Sequence, residues 1–385
     1  MSDVMFEERE QLRSAVRSVI ARHRDVRGWL ESTAESGDGC DLGLWRTLAE
    51  EVGVAGLLVA EDLGGAGAQV ADAAAVFEET GRALSPVPLF STVGLASAIL
   101  LGCGDAPDAQ RLLQKVADGA VVATVAFHEI DSGWFLPPRS TAATEKNGEW
   151  HLTGAKGFVV DAAAADIILV TAATPTGTGL FAVDADVSGL QRRTLESLDL
   201  VRPLGVVEFE DTPATLLAVG DAASQAVAGG LDLAVTLLSA ELVGAGQQCL
   251  DQAVAYVKQR VQFDRKIGSF QAIKHTLVDV LLELEMARSA ADAAASAAEK
   301  WLHSPGPENA TAFAIAASVS KSVCADAFMH IAEETLHVFG GIGFTWEHDA
   351  HLYYRRAKFG ELYLGTADEH RERVARLSGL GERRV

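Results

Sequence analysis

The feature that most constrains this chain is that its local grammar changes twice. From Phe6 to about Gly119, apolar residues recur every three or four positions, as in FEEREQLRSAVRSVIARH, LWRTLAEEVG and ADAAAVFEETGRAL. That is the spacing of helices that bury one face. From Ala120 to about Leu216 the apolar runs shorten to strand length: VVATVAF, EWHLTG, GFVV, DIILVTA, GLFAVDA and GVVEFED. Asn147-Gly148, between STAATEK and EWHL, is a hairpin signal, because both turn positions favour positive φ. From about Asp221 the helical spacing returns and persists to Arg376, broken by SPGPEN and by Gly340-Gly341.

Strands that follow one another without helices between them predict a small antiparallel barrel or sandwich and argue against a doubly wound sheet. No GxGxxG joins a strand to a helix, which argues against a Rossmann-type nucleotide site. The long helices after Asp221, with short connections, predict an antiparallel four-helix bundle. The class is therefore α+β in three parts: a helical part over 1–119, a β part over 120–216 and a helical bundle over 217–385.

Thirty-two basic against 53 acidic residues leave a net charge of −21. Such a surface repels nucleic acid and anionic membranes, so a phosphorylated ligand needs a local basic patch or backbone N–H groups. Acids interrupt the longest apolar runs, and the acidic start MSDVMFEEREQLR lacks a basic-then-apolar leader. No membrane span and a cytoplasmic location are expected. Cys40, Cys103, Cys249 and Cys324 lie far apart, which predicts reduced thiols and no zinc or disulfide frame. Glu347-His348-Asp349-Ala-His351 collects metal-capable side chains, yet such a loop cluster reads as solvent-facing, and no metal is expected.

Three segments carry chemistry. Arg260-Val-Gln-Phe263-Asp-Arg-Lys-Ile-Gly-Ser-Phe-Gln271 interrupts two helices with three cations and an aromatic ring. A guanidinium suits phosphate, an aromatic ring suits a stacked base, and Gln reads polar ring edges. Taken alone, the segment reads equally as a solvated connection. His337-Val-Phe-Gly340-Gly341-Ile-Gly-Phe ends a helix, and its glycines read as a cap or as a close approach to a ligand. Gly365-Thr366 opens a final helix whose first N–H groups either hold an anion or are capped by the threonine.

In order along the chain, these segments resemble the R-x-x-F-G-x-x-I-x-x-F-Q loop, the Q-x-x-G-G-x-G stretch and the closing Y-E-G-T of the acyl-CoA dehydrogenase family. Val59-Ala-Glu-Asp-Leu-Gly-Gly-Ala-Gly67, Glu78-Glu-Thr-Gly-Arg-Ala-Leu84 and Gly148-Glu-Trp-His-Leu-Thr-Gly-Ala-Lys156 extend the resemblance over nearly the whole chain. It implies helices, an antiparallel β-barrel and a four-helix bundle, with FAD as cofactor and a place in lipid or steroid catabolism. It further implies that Arg260 meets the FAD pyrophosphate, and that Phe263 and Gln271 meet the adenosine. His337, standing where the family has Gln, would join Gly340 and Gly341 against the same dinucleotide. These groups reach into a neighbouring subunit's FAD in a homo- or hetero-oligomeric dimer of dimers. Phe158, Gly365 and Thr366 face the chain's own FAD. An acyl-CoA thioester as substrate and an electron-transfer flavoprotein as acceptor are implied as well.

The departures are concentrated in one place. The family's catalytic glutamate falls at Leu364, and the alternative base position, one residue after the arginine, falls at Val261. Neither side chain accepts a proton. The T-E-P-x-x-G-S-D stretch becomes His128-Glu-Ile-Asp-Ser-Gly-Trp134, and W-I-T becomes Phe158-Val159-Val160. The part serving a neighbour's FAD is kept, and the part holding the chain's own flavin ring is altered. Two expectations follow: a non-catalytic, FAD-sharing subunit of a hetero-oligomer, or a self-sufficient homomeric enzyme with a relocated base. Glu241, in an apolar helix where burial would suit a base, is the candidate, ahead of Glu361 and Asp368.

Overall fold

The computed structural model describes residues 3–36 and 39–380. Helices α1 (Asp3–Ala21), α2 (Val26–Ser36), α3 (Leu42–Val52) and α4 (Val70–Arg82) open the chain. A π-helical stretch, Phe90–Ser97, runs into α5 (Ala98–Leu101), and α6 (Pro107–Ala117) follows. The boundaries have local causes. The Asp41 side chain accepts the Leu44 N–H at 2.8 Å to start α3, and Gly53 at φ 74° ends it. Gln69 and Asp72 form a capping box on α4, and Pro107 stands in the first turn of α6.

The middle part holds β1 (Ala123–Ala126), β2 (Ala142–Lys146), β3 (Glu149–Val160), β4 (Ile167–Thr174), β5 (Gly177–Asp184), β6 (Leu190–Thr194) and β7 (Leu204–Val219). Asn147 and Gly148 take φ 53° and 87°, so Lys146 pairs with Glu149 across the expected two-residue turn. Strands β4, β2, β3, β7 and β5 close on themselves as a five-stranded barrel, with β1 flanking β4 and β6 flanking β7. The expected antiparallel barrel is in fact mixed: β1 and β2 run parallel to β4. The β2–β3 hairpin lies between β1 and β4 in sequence, and that length lets the chain cross over and return in the same direction. Strand β4 alternates Ile168 and Val170 into the barrel with Ile167 and Leu169 toward the helices, so both faces are buried.

Three long helices make the last part: α7 (Asp221–Gln259), α8 (Gln271–His303) and α9 (Pro307–Phe339). Shorter α10 (Ala350–Leu362) and α11 (Ala367–Leu377) pack against α9 and complete the bundle. Helices α7 and α9 are long and apolar enough to cross a membrane by length and composition. Here they are core helices, with 83% and 67% of their most apolar stretches buried inside the protein.

Helix α7 crosses α4 backbone to backbone. A Cβ on Gly244 would lie 1.9 Å from the Glu78 carbonyl oxygen, and one on Gly81 would lie 2.2 Å from that of Glu241. Only glycine permits that approach. Gly244→Ala should therefore push the helices apart and lower unfolding free energy by about 1–3 kcal/mol in chemical denaturation.

Candidate functional site

The Arg260 segment folds as a small projecting hairpin at one end of the bundle. The Arg260 N–H donates to Tyr256 O at 2.9 Å and ends α7. Strands β8 (Val261–Gln262) and β9 (Arg265–Lys266) then pair around Phe263 and Asp264, which take φ 53° and 58°. Phe263 is 85% exposed, edge-on to Phe270 at 6.0 Å, and the Arg265 guanidinium lies over Phe270 at 3.8 Å. Arg260 and Gln271 are exposed, and the Gln271 amide meets the His275 ring at 2.7 Å.

The turn after α9 belongs to the same end. Tyr256 OH donates to Phe339 O at 3.4 Å, and the two rings meet at 5.2 Å, tying the last turn of α7 to Gly340 and Gly341. Gly340 takes φ 66° with open space where a Cβ would stand, and His337 is exposed beside it. Arg260, Phe263, Gln271, His337, Gly340 and Gly341 thus share one open end of the bundle. The outer face of α8 continues it with Val278, Leu281, Leu282 and Met286, between 42% and 65% exposed. An apolar helix face of that extent, unlike scattered surface residues, marks an interaction surface.

The second set of residues lies between barrel and bundle. Glu129 anchors the loop after β1. Its carboxylate accepts the backbone N–H groups of Arg139, Ser140 and Thr141 at 2.9–3.1 Å and the Lys156 ammonium at 3.1 Å. Burial pushes Glu129 up, but the Thr141, Ser140 and Arg139 amides and the Lys156 charge outweigh it and hold it at about 2. Burial lowers fully enclosed Lys156 to about 8 against the opposing pull of Glu129. Two residues beyond Lys156, Phe158 sits at φ 54° on a bulge in β3.

The loop places His128 and Trp134 against Phe158, Trp134 against Tyr363, and Phe135 against His370. Trp134 stacks on His128 at 4.2 Å and meets the Tyr363 ring edge-on at 4.8 Å. Leu364 is fully buried at φ 60°, and its carbonyl lies 2.8 Å from the His370 Nε2. Lys321, buried in α9, donates to Gly360 O and Gly365 O at 2.7 Å. Thr366 caps α11, and the Glu369 carboxylate takes the Thr366 N–H at 2.8 Å, so the chain's own acid sits at this helix start.

Glu241 is 2% exposed, as a base would require, but both of its oxygens accept from Arg202 Nη2, at 2.8 and 2.9 Å. Arg356 Nη1 donates to the same carboxylate, and Arg356 Nε donates to Asp199. Arg202 lies between the Phe90 and Phe359 rings at 4.9 and 5.0 Å. Asp161, pushed up by burial, accepts from Ser91 at 2.6 Å and Cys40 at 3.2 Å beside this network. The relocated-base expectation meets an acid whose lone pairs are already taken by guanidinium donors. Glu361 pairs with Lys358 at 2.8 Å and Asp368 with Arg371 at 2.7 Å. Of the metal-capable cluster, Asp349 pairs with Arg27, His348 accepts the Ala350 N–H and His351 meets Trp346.

Sequence reasoning did not find Arg202, Arg356, Asp199, Lys321 or the Glu129–Lys156 pair. The one available signal was charge isolated among apolar or small neighbours, as at Lys321 in ASVSKSVCA.

Helices, a closed barrel and a bundle make up the chain, with exposed cationic, aromatic and glycine residues at the bundle end and an aromatic-lined cleft beside the barrel. Comparison with known proteins supplies the class: the chain belongs to the acyl-CoA dehydrogenase family, whose members are FAD-dependent oxidoreductases. Residues 6–120 match the family's N-terminal domain and residues 225–378 its C-terminal domain. The protein named acyl-CoA dehydrogenase IpdE2 of Mycolicibacterium smegmatis is 34% identical over 370 residues, 96% of this chain and 98% of its own. A variant of the Tcur3481-Tcur3483 steroid ACAD superposes with a TM-score of 0.84 at 30% identity, covering 97% of this chain and 98% of that one. The ChsE4-ChsE5 complex of Mycobacterium tuberculosis gives 0.83 at 26%, covering 96% and 97%.

Proposed function

We propose that this chain is the non-catalytic, FAD-sharing subunit of a hetero-oligomeric acyl-CoA dehydrogenase that introduces the α,β-double bond of an acyl-CoA thioester. The observation that carries the reading is an asymmetry. Arg260, Phe263, Gln271, His337, Gly340 and Gly341 stand open at one end of the bundle, whereas the family's base positions hold Leu364, fully buried, and Val261. Two solved relatives, the Tcur3481-Tcur3483 steroid ACAD and the ChsE4-ChsE5 complex, are in keeping with it.

In this role the Arg260 guanidinium binds the pyrophosphate of the FAD held by the partner, and Phe263 stacks on the adenine. Gln271 and His337 supply polar contacts, and the bare Cα atoms of Gly340 and Gly341 let the dinucleotide approach the backbone. Bound FAD supplies the acceptor for the β-hydride. The partner's carboxylate removes the α-proton, which no residue at this chain's own base positions does. The exposed face of α8 meets the partner within a dimer of dimers, and an electron-transfer flavoprotein takes the electrons onward.

Expressed alone, the chain should purify flavin-poor and without thioester oxidation. Co-expressed with a glutamate-bearing homologue, it should give a hetero-oligomeric mass with one FAD per pair and turnover. Full FAD loading with turnover as a homo-oligomer overturns the reading in favour of a self-sufficient enzyme. Within the complex, Arg260→Ala should raise the FAD dissociation constant about ten- to hundredfold, the equivalent of one charge-assisted phosphate contact, as read by titration of the apo complex.

A further inference from the structure

The cleft beside the barrel is closed from within. The three segments that correspond to the family's ring-holding motifs converge there: His128 to Phe135, Phe158 to Val160, and Tyr363 to Thr366. The indole of Trp134 stands among them. It is 4.2 Å from the His128 ring at an interplanar angle of 21°, 4.8 Å from Tyr363 and 6.2 Å from Phe158. It also borders two cavities, one of about 580 Å³ on the side of Phe135 and Leu231, the other of about 270 Å³ on the side of Phe158 and Phe359. Trp134 is the one lining residue that the two cavities share.

The surroundings point to a planar polar ring as the group this cleft is shaped to hold. His128 Nδ1 and Tyr363 OH are buried without a hydrogen-bond partner among the described residues, the His128 ring stacked on the indole and the Tyr363 ring edge-on to it. An indole offers one N–H and no acceptor, so it cannot satisfy both. Phe158 and Leu364 keep left-handed backbone at φ 54° and 60°, a conformation costly for such residues and concentrated at binding sites. Phe135, next to Trp134, is held edge-on to His370 at 5.6 Å and under the Arg373 guanidinium at 4.5 Å, which fixes the loop in its closed position.

We propose that Trp134 is a built-in occupant of the chain's own flavin-ring site, standing where the isoalloxazine would lie and excluding a second flavin from the pair. The inference rests on the reading above for the identity of the excluded ring. Its test therefore uses lumiflavin, the ring without the dinucleotide arm, titrated against the full chain and followed by quenching of flavin fluorescence. The native chain should bind no lumiflavin. Trp134→Gly should bind about one per chain, and its lowered thermal midpoint should rise again as lumiflavin fills the vacated space. Trp134→Phe, which keeps a ring in the partition, should bind at least tenfold more weakly than Trp134→Gly.

Lumiflavin uptake by the native chain overturns the proposal, as does a Trp134→Gly chain with native circular dichroism that binds none. Should Trp134→Gly fail to fold, Trp134→Ser carries the same comparison. A failure here leaves the partner-dependence of turnover untouched, because that is read from thioester oxidation by the chain alone and with its partner.

Discussion

Replacing Arg356 by alanine should lower the unfolding free energy by about 3–5 kcal/mol, the cost of breaking a buried ion-pair network by removing one partner. Arg356 is 1% exposed and donates to both Asp199 and Glu241, which are themselves 2% exposed. Its loss leaves Asp199 with the Val201 N–H but no cation and leaves Glu241 to Arg202 alone, with Asp161 close by. Lysine is no remedy, because a single ammonium cannot reproduce the planar fork that reaches two carboxylates. Removing the acids together with the arginine, as Arg356→Met with Asp199→Asn and Glu241→Gln, should restore part of the loss. Chemical denaturation of the single and triple variants measures the coupling, and strict additivity would show that the network is not a unit.

Glu129→Ala should cost a similar amount, about 3–5 kcal/mol, by leaving Lys156 buried without its partner and three backbone N–H groups unmatched. The same carboxylate gives the protein an acid limit. Its folded value of about 2 lies below the ordinary 4.5, so its contribution is complete above pH 4.5 and is lost as pH falls toward 2. That interval is worth roughly 3 kcal/mol. Lys156 acts in another window: depressed to about 8 from 10.5, it sheds its proton in the folded state first, so stability rises with pH between those values. Unfolding free energies of native and Glu129→Ala protein at pH 3, 7 and 9 test both signs. The variant should lack the acid-side slope.

What the sequence made legible is what is local in sequence. Helical spacing, short strands and the Asn147-Gly148 turn each depend on neighbours a few residues apart, and the structure has all of them. The Arg260 segment stands out in the sequence because its cations and ring fall within a dozen positions of an otherwise acidic chain, and the structure folds it as an exposed hairpin. Strand direction was not: whether β1 returns parallel or antiparallel to β4 depends on the path of the hairpin between them, and the alternation of side chains is the same either way. The charges between barrel and bundle were invisible for another reason. Arg356 follows Arg355 in YYRRAKF, and a sequence cannot say which of two adjacent arginines faces water and which lies against Asp199 and Glu241. Trp134 stands out in the sequence as a departure from the family pattern, but its place between two cavities needs three segments spread over more than 200 residues.

The buried charge network also sets an order of events during synthesis. Cys40 and Ser91 come from the first part of the chain, Asp161, Asp199 and Arg202 from the second, Glu241 and Arg356 from the last. A ribosome adding about 5–20 residues per second places Asp161 in the chain roughly 10–40 s before Arg356. During that interval the nascent barrel carries Asp199, an acid destined for burial whose partner Arg356 has not yet been made, although Arg202 is already in the chain. Its docking onto the first helices must wait, or must tolerate protonated acids, until α10 emerges. Chains halted before Arg356 should accordingly remain open to proteases and chaperones at the barrel–helix seam, and close only when the last helices arrive.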